Sequence, residues 1–339
     1  MNDYKPPFHM TDKITFLIAD ISEQVGRITV LQEGTISPHL RRKNRIRTIH
    51  SSLAIEHNSL SLEQVTAILN GKRVFGNPNE IKEVQNAYEA YELMLHLNPS
   101  SVDDLLKAHK LIMNGLVPEN GKFRSGGVGV FDGEMLVHIA PPAEFVPEHI
   151  NNLFAWYQQS ELHPLIKSAI FHYEFEFIHP FADGNGRIGR MWHSLLLGKW
   201  KELFFWLPIE DLIQLRQKEY YDALGMADKQ ADSAGFVELM LEIIMDSLKE
   251  VTVVGRSTDQ DSDQVTDQDS DQDKLPVERL LSVLGNDILS AAQLMERLNL
   301  SHKPTFRKNY LKPALEQNLI ERTIPDKPNS RNQKYRKCK

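Results

Sequence analysis

The chain has one cysteine, Cys338, near the end of its 339 residues. One thiol can form neither an intrachain disulfide nor a cysteine zinc site. Apolar runs of membrane length are missing, and Met1 to Pro7 carry no secretory leader. A cytoplasmic protein with no membrane partner is the expectation. Positive charge is not in excess: the formal net charge is −7, which argues against a chain basic all over. Strand-like alternation is scarce, and no Gly-Lys-Ser/Thr follows a glycine-rich loop, which excludes a Walker A site. What remains is 41% hydrophobic and 25% charged residues, a composition that can build two or three ordinary domains.

Helical periodicity dominates. Leu17, Ile21, Val25 and Ile28 form a stripe that Thr11 or Asp12 could cap, and similar patterns run through 39–70, 80–97 and 102–117. The richest stretch is Ile178 to Arg190. Ile166, Ala169, Ile170, Tyr173 and Phe177 recur at helical spacing before it, and Ile188, Met191, Trp192, Leu195 and Leu196 after it. The pattern predicts a tight loop between two buried helices, with Pro180 helping to end the first.

That loop gathers residue types suited to a nucleotide phosphate. Gly184-Asn185-Gly186 opens the second helix, where unpaired N–H groups and the helix dipole favour an anion. Asp183 is a hard oxygen ligand suited to magnesium. Arg187 and Arg190 are rigid forks for phosphate oxygens, and His179 can act as a base near neutral pH. Gly184 to Gly189 also spell G-x-G-x-x-G, but that dinucleotide fingerprint needs a strand before it, and here the preceding segment is helical. His172 and Glu176 share a helical face, yet nothing supplies the further ligands of a metal site, and a structural histidine is the preferred reading.

From His179 to Arg190 the chain resembles the signature of the Fic family, H-P-F-x-D/E-G-N-G-R-x-x-R, at every fixed position. Ser52-Leu53-Ala54-Ile55-Glu56-His57-Asn58 is similar to that family's inhibitory motif, S/T-x-x-x-E-G/N, with His57 where Gly or Asn is expected. The resemblance implies a mainly α fold. A Fic-type helical bundle with a β-hairpin flap would carry the inhibitory motif in residues 1–100 and the catalytic core in 101–250.

It further implies a protein adenylyltransferase. ATP would lie across the loop with Mg2+ held by Asp183 and the phosphates. Asn185 and the backbone from Gly184 through Gly186 to Arg187 would hold phosphate oxygens, and Arg187 and Arg190 the β/γ end. His179 would take the proton of a Ser, Thr or Tyr hydroxyl, on another protein or on the chain itself, as AMP is transferred. Ser52 and Glu56 would be inhibitory, Glu56 pairing with Arg190 and excluding the γ-phosphate. Tyr220, in a segment similar to the family's Tyr-Tyr-x-x-Leu helix, would help hold the base, although Asp228 stands where an asparagine is expected. Apolar residues on both sides of Asp132-Gly133 predict a hairpin. In the family this is the flap, and Val137, His138 and Ile139 would dock a target segment by strand addition. Some relatives instead remove AMP with the same glutamate.

Residues 251–274 contain two near-copies of Thr-Asp-Gln-Asp-Ser-Asp-Gln and read as an acidic flexible linker. Residues 275–339 resemble the small winged helix-turn-helix domain often appended to Fic proteins, with Ser290 capping a helix and strands expected near 318–323 and 333–336. Residues 297–339 hold twelve Lys/Arg against three Asp/Glu, a footprint suited to DNA phosphates. A DNA partner through residues 290–339 is therefore one expectation. A protein-binding role, or docking on the catalytic core, is another. A DNA-binding regulator with a nucleotide-sensing Fic domain is the alternative to an enzyme.

Overall fold

The structure, a computed structural model, describes residues 4–31, 38–132, 135–258, 280–281, 283–285, 287–298, 306–316, 319–324 and 333–338. The chain divides into two compact units, 1–260 and 261–339.

The larger unit is mainly helical. Helices α1 (Asp12–Leu31), α2 (Pro38–Ile55), α3 (Leu62–Leu69), α4 (Pro78–Met94) and α5 (Val102–Ile112) precede the hairpin of β1 (Gly129–Asp132) and β2 (Met135–Ile139). Then come α6 (Val146–Gln159), α7 (Pro164–Ile178), α8 (Asn185–Trp200), α9 (Ile209–Leu215), α10 (Gln217–Gln230) and α11 (Ala234–Thr258). Helix α11 runs past residue 251, so helix occupies the start of the segment expected as linker. Residues 259–279, most of that segment, lie outside the described residues. The expected hairpin is present, antiparallel, with Asp132 opposite Met135 and a register irregularity between Val130 and Phe131.

Local chemistry explains the helix starts. Thr11 Oγ1 accepts from the Ile14 N–H, as its position suggested. Ser61 and Gln64 form a reciprocal capping box at α3. Ser233 stands at the N-cap position of α11, as its sequence suggests, with its carbonyl accepting from Val237 N–H, while its hydroxyl donates to Pro7 O, where the N-terminal segment crosses.

Helix α7 is central because it is apolar almost all round, the signature of a helix buried on every side. Leu165, Ile166, Ala169, Ile170 and Tyr173 pack in one core with α1 and α11. Phe171, Phe175 and Ile178 pack in a second, with Trp192, Leu195 and Leu196 of α8. The five α8 residues expected to be buried all are, whereas Phe177 of α7 is 37% exposed. The loop between α7 and α8 is thus mounted on two helices that burial fixes.

The smaller unit contains β3 (Leu289–Ser290), β4 (Ile320–Arg322) and β5 (Lys334–Lys337), antiparallel in the order β3-β5-β4. Its core includes Leu284, Leu294, Phe306, Ile320 and Tyr335. The two strands near 318–323 and 333–336 occur; β3 is an addition. Ser290 Oγ accepts from Gln293 N–H, capping the Ala291–Arg297 helix as expected.

Candidate active site

Helix α7 stops at His179, which takes a left-handed backbone (φ 49°, ψ 62°) while its N–H still bonds Phe175 O. A non-glycine residue there is strained and persists only where its surroundings hold it. Arg124 does so. It is 3% exposed, and its Nε donates to His179 O at 2.8 Å, its Nη2 to Ile178 O at 3.3 Å, and its backbone N–H to Pro180 O. The same guanidinium reaches Gly126 O and Pro141 O, which flank the hairpin. Arg124 therefore ties the base of the hairpin to the loop.

The His179 side chain is oriented by its Nδ1, which donates to Glu176 O at 3.2 Å. A carbonyl can only accept, so in the neutral ring the lone pair belongs to Nε2. That is the tautomer a base needs.

Phe181 is fully buried and stacks on His109, with ring centroids 3.7 Å apart. His109 Nδ1 accepts from Gly121 N–H, so Nε2 carries the proton and donates to Asp183 O at 3.0 Å. Burial pushes His109 down to about 4, keeping the ring neutral in that bridge. Asn185 departs from its expected use. Its Oδ1 accepts from Phe181 N–H and its Nδ2 donates to Phe181 O, both at 2.8 Å. The side-chain amide braces the loop.

Helix α8 then begins at Gly184, whose φ is +84° and where a Cβ would meet Met113 Sδ at 2.6 Å. Glycine is required there on both counts. Arg187 Nη1 pairs with Glu83 at 3.1 Å and its Nη2 with Asp183 at 2.9 Å. Arg190 is fully buried. Its Nη2 donates to Glu56 Oε1 and to Ser52 O, both at 2.8 Å, and its Nε to Ser52 Oγ at 3.2 Å. The expected pairing of Glu56 with Arg190 is therefore present. A Cβ on Gly186 would lie 2.4 Å from Glu56 Oε1 and 2.9 Å from Arg190 Nη1. The glutamate carboxylate thus sits against the opening turn of α8, where an anion is favoured. Burial acts to raise the Glu56 pKa, but Arg190 and then Arg187 outweigh it and hold the carboxyl below its ordinary value.

His57, the departure from the motif, has φ +69° in the turn that ends α2, and the next N–H, that of Asn58, bonds Leu53 O. Gly or Asn suits a left-handed position after a helix; histidine tolerates it better than most other residues. Asn58 Nδ2 donates to Glu83, the partner of Arg187, so the motif braces both arginines.

Tyr220 and Tyr221 divide differently from expectation. Tyr220 is 1% exposed, with its hydroxyl on His172 Nε2 at 2.8 Å. Tyr221 is 44% exposed, and its hydroxyl is pushed up to about 12 by burial and then by Glu56. Asp228 accepts from Tyr173. His172 is thus a structural histidine. Among the described residues no group of three His, Cys, Asp or Glu could hold a metal ion, and no helix is long and apolar enough to cross a membrane. Val137, His138 and Ile139 are described only through their strand pairing.

Residues 99–197 match the Fic/DOC family, and 275–337 match the C-terminal domain of the Filamentation induced by cAMP protein Fic-like family. Protein adenylyltransferase fic-1 of Caenorhabditis briggsae is 29% identical over 58% of this chain and 39% of its own length. Protein adenylyltransferase Fic of Nematostella vectensis is 30% identical over 44% and 36%. The chain spans about two fifths of the length of these curated relatives. A fragment of Fic-1 from C. elegans, at 23% identity and a TM-score of 0.57, shares the fold over 72% of this chain and 75% of that one. A crystal structure of a Fic family protein from Desulfovibrio desulfuricans G20 has a TM-score of 0.73 and is 53% identical, covering 99% of this chain and 98% of that one. At that identity across nearly both whole lengths, the chain belongs to the Fic family.

Proposed function

We propose that the chain is a protein adenylyltransferase held inactive by Glu56. The observation that carries this reading is the juxtaposition at the start of α8. A base-competent His179, a glycine-lined helix N-terminus and two buried arginines converge there, with the Glu56 carboxylate on the arginine nearest Gly186. A carboxylate paired with Arg190 occupies the positive charge and the donors that a nucleotide phosphate would use.

With Glu56 displaced, ATP lies over residues 184–187 and its β/γ end meets Arg187 and Arg190. A target hydroxyl gives its proton to His179 Nε2 as its oxygen attacks the α-phosphorus. The new O–P bond forms, the bond from the α-phosphorus to the bridging oxygen breaks, and pyrophosphate leaves with that electron pair. AMP remains on the target as a phosphodiester. Positioning and charge stabilisation carry most of the catalysis. Asp183, half exposed with one oxygen on Arg187, suits Mg2+, which takes one or two carboxylates and completes its shell with phosphates and water. When bound, that ion would neutralise developing phosphate charge. The hairpin edge at Val137, His138 and Ile139 is the proposed seat for an extended target segment.

ATP labelled at the α-phosphate, with magnesium and cell lysate, tests the reading. Label should appear on protein strongly with Glu56→Gly, weakly with the natural chain and not with Glu56→Gly/His179→Ala. Absence of label from all three while ATP still binds would overturn the transferase. The excess of Lys/Arg in residues 297–339 favours a second reading for the C-terminal unit, a winged helix on duplex DNA. Its mark would be salt-dependent binding lost when those basic residues are neutralised.

A further inference from the structure

Sequence places Ser52 beside Glu56 as a second inhibitory residue, but its contacts differ in kind. Glu56 occupies a charge that a phosphate would need. Ser52 supplies two neutral acceptors to the same guanidinium, its carbonyl to Nη2 and its hydroxyl to Nε. Both lie on the side of Arg190 away from Nη1, the nitrogen beside Gly186. The Ser52 hydroxyl lies near that of Tyr91 of α4. Tyr91 donates to Glu210 Oε1 of α9 at 3.0 Å, and Ser194 of α8 donates to the same oxygen. Ser52, Tyr91, Ser194 and Glu210 are all buried.

We propose that Ser52 is a positioning residue for Arg190: the motif at the end of α2 blocks the phosphate site through Glu56 and, through Ser52, holds the arginine that the phosphate must find. The reason is desolvation. Arg190 is 2% exposed, and a buried guanidinium stripped of partners is costly and turns toward whatever acceptor it can reach. When Glu56 withdraws, the carbonyl and hydroxyl of Ser52 remain. They fix the plane of the fork, with Nη1 still at the opening of α8. A γ-phosphate then replaces the carboxylate on a donor that is already oriented, instead of having to order it. The two residues of the motif act in opposite directions on the same side chain. Removing Glu56 should therefore activate, while also removing Ser52 should take part of that gain away.

Resting on the adenylyl-transfer reading, the test is arranged so that the two can fail separately. The full chain is used throughout, as Glu56→Gly, Glu56→Gly/Ser52→Ala, Glu56→Gly/Ser52→Thr and Glu56→Gly/Tyr91→Phe. Calorimetric Kd values in magnesium are taken for ADP and for α,β-methylene-ATP, which cannot transfer AMP, alongside AMP transfer from labelled ATP. Relative to Glu56→Gly, Ser52→Ala should weaken the triphosphate about tenfold and raise the KM for ATP, with ADP little changed. Ser52→Thr, which keeps the hydroxyl, should restore the triphosphate. Tyr91→Phe, which keeps Ser52 but removes the hydroxyl beside it, should shift the triphosphate the same way by a smaller factor, and it stands in should Ser52→Ala fail to fold. Equal or tighter triphosphate binding in Glu56→Gly/Ser52→Ala would make Ser52 an inhibitory residue and overturn the proposal. Equal weakening of ADP and triphosphate would make its role merely structural, with the same consequence. If Glu56→Gly itself transfers no AMP, the transferase reading falls, yet the contrast between ADP and triphosphate still decides how Arg190 is held.

Discussion

Helices α7 and α2 are both deeply buried, by different means. Helix α7 buries mostly apolar side chains and lends them to two cores. Of the eight residues α2 buries, Asn44, Arg45, Thr48, Ser51 and Ser52 are polar. Asn44 donates to Trp206 O, Ser51 to Asp211 at 2.8 Å, and Arg47 pairs with Asp211 and Glu250. Arg45 lies over the rings of Tyr91 and Trp206. The helix that mounts the loop is held by packing without direction, whereas the helix that leads to Glu56 is held by directional bonds, several of them near water. Under the proposed function, a base must not move, and a carboxylate that is to give way to a phosphate has to be able to. The difference in burial matches that division.

The largest effect should come from the apolar side. Trp192 of α8 is fully buried in the second core, its ring centroid 6.0 Å from that of Phe154. Trp192→Ala should cost about 3–5 kcal/mol, the range for truncating a buried aromatic. Calorimetry should show a lower unfolding temperature for the larger unit by an amount independent of whether residue 56 is Glu or Gly. A cost below about 1 kcal/mol would mean that α7 and α8 are not the rigid mount.

A smaller and more local effect should follow on α2. Ser51→Ala removes one donor from the Asp211 carboxylate and should cost about 1 kcal/mol. Hydrogen exchange read by mass spectrometry should find α2 amides exchanging several-fold faster and α7 amides unchanged. Added salt should act in the same direction, because the Arg47 pairs with Asp211 and Glu250 are partly exposed and so are screened. Exchange of α2 and α7 in step under both perturbations would break the contrast.

These two modes of burial also decide what was legible in the sequence. The α7–loop–α8 unit could be read because apolar side chains on every face leave a periodic trace and the loop residues have a recognisable order. The hairpin followed from Asp132-Gly133. Glu56 opposite Arg190 came from the resemblance alone, since a glutamate near a helix end carries no signal of a partner 134 residues away. Arg124 and His109 were not legible. They bond loop carbonyls 55 and 74 residues distant, and such contacts have no period; in sequence Arg124 is only part of a turn, and His109 only part of a helix. Two signals were available but unread. Asn185 lies four residues after Phe181, a spacing at which a side-chain amide can fold back on the backbone. Tyr220 lies seven before Ala227, the other buried residue of α10, which puts Tyr220 on the inner face and leaves Tyr221 to solvent.

The smallest expected effect is an absence of change, and it bears on how the clamp is charged. Glu56 is partly buried, which alone would raise its pKa, but Arg190 and then Arg187 outweigh burial and hold the carboxyl below its ordinary value. A carboxyl lowered in the folded state contributes stability above its unfolded pKa and loses it as pH falls through the folded one. The Glu56–Arg190 pair is therefore fully formed at about pH 6 to 8 and begins to open only below the ordinary carboxylate range. The ratio of AMP transfer between Glu56→Gly and the natural chain should be flat across that neutral window, because any pH dependence common to both proteins cancels in it. Binding of α,β-methylene-ATP should follow the same rule, with the advantage of the variant shrinking only in acid. A ratio that collapsed between about pH 6 and 7 would mean that burial outweighs the two arginines at Glu56. Protons could then open the clamp near neutrality. A flat ratio leaves opening to forces that move α2 itself, against bonds which, unlike the α7 core, can be exchanged one at a time for bonds to water.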